Sequence, residues 1–379
     1  MLRHTITIFI ISTLVSCGPT SENTANKQSV DNDQKYLKYA QGFEVRYEGN
    51  VKWVTVPKPF QGATEGFTYL LVPKGTKVPD HSADVQVIEI PLDRLVCNST
   101  THIPLLDYLG KTEALVGFPT TDYISSKKMR QRIDAGKVTD IGVDNEMNLE
   151  LLIDLEPDMV MAYTVSNNFG QFEQISKAGI PVVINAEYLE SHPLGRAEWI
   201  KFMALFFNLE DKADSIFNAI ETKYVGLQEK TARIQEKPTV LSGVVYGDTW
   251  YMPGGDNYAA KIINDAAGNY LWSENDDSGF LELSFEAVYD RAHDADYWIG
   301  VGSFNTLEAL QNADDRYAKF KSFKTGDVYT YDARKGAKGG SVYLELGYLR
   351  PDIILEDLVK ILHPQLTNDK DLYFHAKLK

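Results

Sequence analysis

Between about Pro193 and Lys237 the chain offers no stretch that reads as a β-strand, and this gap divides what remains into two parts. Within it Ala213, Ile216, Phe217, Ile220, Tyr224, Leu227 and Ile234 recur at steps of three and four residues, the spacing of one apolar face on an α-helix. Glu210 to about Gln235 therefore predicts a single amphipathic helix, roughly 38 Å long at the rise of an α-helix. Pro238 ends it, because proline lacks an N–H and its ring clashes with the preceding turn. Such a helix can brace two bodies, one on each side of it.

Both flanks read as alternating strands and helices, the pattern of a parallel sheet covered by helices. Before the gap, Arg94–Cys97 predicts a strand, Ser99, Thr100 and Thr101 supply helix caps, and His102–Leu109 predicts a helix closed by Gly110. Strands at Ala114–Phe118 and Ile180–Ile184 follow, with a helix from Phe169 to Ala178 between them. After the gap, Thr239–Val245 predicts a strand, Asn257–Ala267 a helix, Gly326–Tyr331 a late strand and Pro351–Leu362 a closing helix. Ahead of both series, Phe43–Tyr47, Val51–Val56 and Phe67–Val72 alternate apolar and polar residues, with Glu48-Gly49-Asn50 as a turn. These predict a small antiparallel sheet. The fold class is thus α/β: two βαβ lobes with parallel sheets, joined by one long α-helix, with an extra N-terminal β-rich segment.

Each half carries a similar helix-then-strand unit. Asn148-Leu149-Glu150 opens a run that ends at Glu156-Pro157-Asp158 and passes into Met159-Val160-Met161-Ala162; Ser284-Phe285-Glu286 opens one that ends at Ala295-Asp296 and passes into Tyr297-Trp298-Ile299-Gly300. A carboxylate in the first turn is favoured by the helix dipole, and the polar residue before it caps free N–H groups. Glu150 and Glu286 are therefore expected to be exposed at helix starts. Ordinary capping produces the same pattern, and the glutamate-to-aspartate spacing differs, eight residues in one copy and ten in the other.

The N-terminus begins Met1-Leu2-Arg3-His4, runs through apolar residues to Val15 and reaches Leu14-Val15-Ser16-Cys17 before Gly18. A basic start and an apolar core of about ten residues fit a secretory signal and fall short of a bilayer span. The cleavage box makes Cys17 the expected lipidated first residue. The chain then divides into the signal and lipobox (1–17), a polar, flexible tether (18–35), the β-rich segment (36–91), the N-terminal lobe (92–192), connecting helices (193–237), the C-terminal lobe (238–364) and a C-terminal tail (365–379). With Cys17 acylated, Cys97 remains the single thiol and has no partner for an internal disulfide. A net charge of −15 disfavours nucleic acid and anionic lipid surfaces as partners. The 21 tyrosines suit a pocket for a large planar ligand.

Two α/β lobes joined by one long helix behind a lipobox, with matching Asn148-Leu149-Glu150 and Leu283-Ser284-Phe285-Glu286 segments, resemble the helical-backbone substrate-binding proteins of ABC importers. Within these the likeness is to the group that takes up iron(III)-siderophore, haem or cobalamin complexes, and it covers about Leu92 to Pro364. It implies a monomeric receptor on the periplasmic face of a bacterial membrane, held there only by its lipid. It also implies that Glu150 and Glu286 dock against arginines on two permease subunits. The β-rich segment is extra to that pattern, and no tryptophan precedes Glu150 where cobalamin receptors usually keep one.

A metal chelate of several hundred daltons needs a wide cleft with aromatic faces and a few placed polar groups. Tyr246, Trp250 and Tyr251 follow the first strand of the second lobe, where open α/β sheets present binding loops. Thr101 and His102 hold the equivalent place in the first lobe, Tyr123 follows its second strand, and Arg334 offers a fork to an anionic chelate. For Trp250 a core position is the competing role, and for the others a solvated surface. Seven scattered histidines with no His-x-x-x-His or Cys-x-x-Cys pair give no bare metal site held by protein ligands. The expected ligand is an iron(III) chelate, with cobalamin as the alternative; no cofactor is expected. The chain has no Gly-x-Ser-x-Gly elbow or P-loop, so it reads as a binding protein and not an enzyme. The alternative from another class is a lipid-anchored extracytoplasmic hydrolase built on acidic residues such as Asp276, Asp277 and Glu282.

Overall fold

A computed structural model describes residues 36–379. Cys17, the signal and the tether lie outside the described residues. Among the described residues no helix is long and apolar enough to cross a membrane.

The first sheet contains β1 (Glu44–Glu48), β2 (Val51–Val56), β3 (Phe67–Pro73) and β4 (Gln86–Ile90). β1, β2 and β3 pair antiparallel, as expected, but β4 runs parallel to β3, so the predicted antiparallel sheet is mixed. Residues 74–85 provide a connection of the length a parallel pair requires.

The first lobe contains β5 (Leu95–Cys97), β6 (Leu115–Phe118), β7 (Thr139–Asp140), a short hairpin of β8 (Gly142–Val143) and β9 (Glu146–Met147), then β10 (Met159–Ala162) and β11 (Val182–Ile184). Its sheet has the order β11-β10-β5-β6-β7, and every pair in it is parallel.

The second lobe contains β12 (Thr239–Ser242), β13 (Val244–Tyr246), β14 (Thr249–Pro253), β15 (Asn269–Tyr270), β16 (Phe280–Leu283), β17 (Tyr297–Ile299), β18 (Val328–Thr330) and β19 (Ala376–Lys377). The main sheet, β15-β12-β17-β18-β19, is parallel except at β19. The predicted strand at 239–245 is broken in two. Gly243 takes φ +82, where a Cβ would collide with the Tyr251 carbonyl, and the chain then enters the antiparallel β13-β14-β16 sheet. Residues 365–379 pack into this lobe: Phe374 and His375 are buried and β19 closes the sheet edge.

Four strands of each lobe share one order. β6-β5-β10-β11 matches β15-β12-β17-β18, second-first-third-fourth in both. This explains the closing aspartates of the two sequence units. Asp158, at the start of β10, accepts hydrogen bonds from the N–H groups of Asp93 and Arg94 beside β5. Asp296, at the start of β17, accepts them from the N–H and hydroxyl of Thr239 in β12. Each carboxylate ties two neighbouring parallel strands at their N-terminal ends.

The connecting helix runs Glu210–Thr231 and buries Ala213, Phe217, Ile220 and Tyr224. Toward its start, Lys52 of β2 is buried and pairs with Glu210 while its Nζ donates to the Leu205 carbonyl at 2.9 Å. Toward its end, the Tyr224 hydroxyl donates to Asp265 at 2.5 Å and Lys223 pairs with Glu356 at 2.6 Å. The helix is thus fastened to the N-terminal sheet and to the second lobe.

Candidate ligand-binding site

In each lobe the strand order reverses between the first and third strands, and in open α/β sheets ligands bind at the carboxyl ends there. In the second lobe, Ser242, Gly243 and Val244 leave β12, and Ile299, Gly300 and Gly302 lie at the end of β17. All six line a cavity of about 580 Å³. From the first lobe, Val165 and Tyr188–Ser191 line it too, Arg196 joins them from the connecting region, and Gln61 reaches it from the N-terminal segment. The cavity therefore lies between the lobes. Its wall includes Tyr188, Tyr251, Tyr258, Tyr331, Tyr343 and Tyr348.

Two tryptophans hold the floor from behind. Trp250 Nε1 donates to the Ser242 carbonyl at 3.0 Å and Trp298 Nε1 to the Gly243 carbonyl at 2.9 Å. Their rings stack 5.4 Å apart. Trp250 is 0% exposed. The expectation of Trp250 as an aromatic wall is therefore corrected: side chains alternate along β14, so Trp250 turns into the core while the adjacent Tyr251, 38% exposed, turns to the cavity.

Arg196 is the one permanent cation among the described residues that line the cavity. Its Nε and Nη2 donate to the carbonyls of Glu190 and Tyr188 at 2.8 and 2.7 Å. Its guanidinium carbon lies 4.2 and 4.6 Å from the ring centres of Tyr258 and Tyr348. Nη1 has no hydrogen-bond partner among the described residues. Glu190, also on the wall, is engaged elsewhere: its Oε1 accepts from the N–H groups of Gln41 and Gly42 and from Trp199 Nε1.

His375 lines the cavity from the C-terminal segment. Asp357, buried on the helix Pro351–Leu362, accepts from the N–H groups of Tyr373, Phe374 and His375 and from His375 Nδ1 at 3.1 Å. Burial alone would raise this carboxyl, but the hydrogen bond and charge of His375 and those N–H donors outweigh it and hold Asp357 below the usual range.

The remaining predicted residues lie elsewhere. Thr101 precedes the helix His102–Leu109 and its hydroxyl donates to the buried Glu187, which burial pushes up to about 7 against that hydrogen bond. His102 is fully buried, neither ring nitrogen has a partner among the described residues, and burial pushes it down to about 3. It is a neutral core residue. Tyr246, 81% exposed, sits beside Tyr251 at 6.5 Å without lining the cavity. Tyr123 is 63% exposed at the end of the short 3-10 helix Thr121–Tyr123. Arg334 is exposed, its Nε donates to the Tyr373 carbonyl at 2.8 Å and its guanidinium lies over the Tyr373 ring. Arg196 and His375 were missed. Arg196 stands in the connecting region, where no binding loop is expected, and His375 in the presumed tail.

Glu150 and Glu286 are exposed in the first turns of Leu149–Asp154 and Phe285–Ala292, capped by Asn148 and Ser284. Arg316 reaches Glu286 at 3.4 Å. No ion-pair partner contacts Glu150 among the described residues.

The profile of the periplasmic binding protein family matches residues 95–335. The chain belongs to that family. A relative described as "Uncharacterized lipoprotein MJ0878" from Methanocaldococcus jannaschii is 29% identical over 403 residues, spanning 97% of this chain and 94% of the relative. "Uncharacterized ABC transporter substrate-binding lipoprotein YvrC" from Bacillus subtilis is 24% identical over 190 residues, 48% of this chain and 57% of the relative. Among solved structures, the periplasmic haem binding protein HutB of Vibrio cholerae is similar with a TM-score of 0.54 at 19% identity, covering 69% of this chain and 98% of that one. At that identity the likeness shows a periplasmic binding protein fold.

Proposed function

We propose that this protein is the lipid-anchored receptor of an ABC importer. It captures an iron(III) chelate of the siderophore or haem class between its lobes and delivers it to the permease. The cavity carries the reading: about 580 Å³ between two α/β lobes, at the strand-order reversal, walled by six tyrosines. That volume suits a small-molecule site, and tyrosine faces suit a flat or aromatic chelate. Arg196 gives the cavity a preference for anionic ligands, since its tethered guanidinium keeps Nη1 for a carboxylate or catecholate oxygen. Lipid on Cys17 would hold the protein at the extracytoplasmic face, and Glu150 and Glu286 would dock it to two permease subunits.

The test is titration of the full-length chain in detergent with ferric siderophores, haemin and cobalamin, followed by intrinsic fluorescence and visible absorption. An iron chelate should saturate the protein at one equivalent, and Arg196→Ala should weaken it by about tenfold or more, the scale of one charge-assisted contact. Saturation by cobalamin alone would shift the reading to that ligand. No binding by any of the three would overturn it.

A further inference from the structure

We propose that a second cavity, on the outer side of the cleft wall in the first lobe, is a docking groove for a basic, apolar-tipped loop of the permease. This rests on the reading of Glu150 as a docking residue and adds to it a surface and a chemistry for the partner.

The groove has a volume of about 580 Å³ and lies beside the exit of β10. One side is formed by residues 144–147, the other by the helix Gly170–Lys177, which contributes Gln171, Phe172, Gln174 and Ile175. Gln171 ties the two sides together: its Oε1 accepts from the Met147 N–H at 2.8 Å and its Nε2 donates to the Asp144 carbonyl at 3.1 Å. The groove is therefore built before any partner arrives. Its floor is apolar, since Met147, Leu152, Phe172 and Ile175 belong to the hydrophobic core of the lobe. An apolar floor inside a polar rim is the anatomy of a protein–protein contact.

Charge selects the chemistry of the occupant. Asp144 and Glu146 line the groove, and among the described residues no lysine, arginine or histidine does. Asp144 Oδ1 accepts from Asn98 at 2.7 Å, while its Oδ2 and the exposed Glu146 carboxylate have no partner among the described residues. Burial pushes Asp144 up against the bond from Asn98, and a carboxyl in that state gains from a neighbouring cation.

Position selects the partner. Leu149 lines the groove and the next residue is the exposed Glu150, so the groove continues the surface on which that carboxylate stands. Val165 lines both the groove and the ligand cavity. The Thr164 carbonyl, from a groove residue, accepts at 2.9 Å from the hydroxyl of Tyr188, a cavity residue. Residues 163–166 are thus a partition between the two, and a permease loop seated in the groove bears on the wall of the cleft.

The experiment is photo-crosslinking in membranes of cells that carry the importer. A benzophenone side chain is placed at Gln174 in the groove or at Leu151 beside Glu150, both exposed, and the joined peptide is sequenced by mass spectrometry. The Gln174 label should join a permease subunit through a peptide that carries lysine or arginine. Glu146→Arg removes no contact within the described residues, so it should fold. It should abolish that adduct and lower uptake about tenfold or more, with the chelate affinity of the purified protein unchanged. An adduct at Leu151 with none at Gln174, or normal uptake by Glu146→Arg, would overturn the groove and leave Glu150 as the docking residue. Joining of Gln174 to a second copy of this chain would overturn it as well, as would a loss of chelate affinity in Glu146→Arg. No permease adduct from either label would overturn the docking reading itself, and this inference with it.

Discussion

Trp250 and Tyr251 are adjacent on β14 and face opposite ways, and the difference decides which of them a ligand can touch. Composition and position after the first strand of the second lobe mark both equally. The period of a strand separates them only once Gly243 is known to end β12 and β13 and β14 to form a separate hairpin. Trp250→Ala is therefore expected to act on stability. It removes a ring packed against Trp298, Phe285, Tyr317 and Phe320 and leaves the Ser242 carbonyl without its donor. The expected loss is about 3–5 kcal/mol, measured by denaturant unfolding. A change below about 1 kcal/mol would mean the ring is not core. His375 shows the opposite failure of legibility. Its partner Asp357 lies 18 residues away, and no spacing rule joins a helix carboxylate to an imidazole just ahead of a closing strand. The signal was a histidine after the last predicted helix, and only the fold gives it a cavity to line.

At the scale of elements, the sequence carries what has a period and a stop. The helices at His102–Leu109 and Pro351–Leu362 have the predicted bounds, the first closed by Gly110 in the left-handed conformation. The connecting helix ends at Thr231, short of Gln235, where the Thr231 hydroxyl turns to the Gln228 and Asp265 carbonyls. Strands of two residues, such as β7, β8 and β9, are too short to show alternation, and contacts between lobes leave no periodic mark in a sequence. In one of these, Glu345 on the helix Val342–Leu346 accepts from the Ser125 N–H at 2.5 Å, across the cleft from its own lobe. Burial pushes this carboxyl up to about 8, against hydrogen bonds from the Ser125 and Ser126 N–H groups and with the charge of Asp107 adding to the rise. A folded value above the unfolded value means the contribution to stability is complete below the unfolded pKa of 4.5 and is lost as pH rises through about 8. At about 1.4 kcal/mol per unit the loss amounts to a few kcal/mol. Glu345→Gln keeps an acceptor for Ser125 and carries no charge, so its melting temperature should fall less than that of wild type between pH 5 and 8. Parallel curves for the two proteins would show that Glu345 is ionised in the folded state.

For the molecule as a whole, the connecting helix and the two glutamates belong together. The helix is fastened to the N-terminal sheet by Lys52 and to the second lobe by Tyr224 and Lys223, while Arg350 bonds the Tyr108 hydroxyl between lobes at 2.7 Å. These ties limit hinge motion, so two charges on separate lobes keep a nearly constant separation and suit a partner with two fixed cationic sites. The glutamates are not equivalent. Glu286, although 77% exposed, already meets Arg316 at 3.4 Å, and a docking arginine must compete with it; Glu150 has no such contact among the described residues. Losing Glu150 should therefore cost docking more than losing Glu286, within the range of about 1–3 kcal/mol for a charge-assisted contact. Neither residue lines the cavity, so chelate affinity should stay at the wild-type value in Glu150→Ala, Glu286→Ala and the double variant. Uptake measured in cells should fall in the order wild type, Glu286→Ala, Glu150→Ala, double variant. Normal uptake by the double variant would leave the two carboxylates as features of helix starts alone, and a loss of chelate affinity would move them from docking into the binding site.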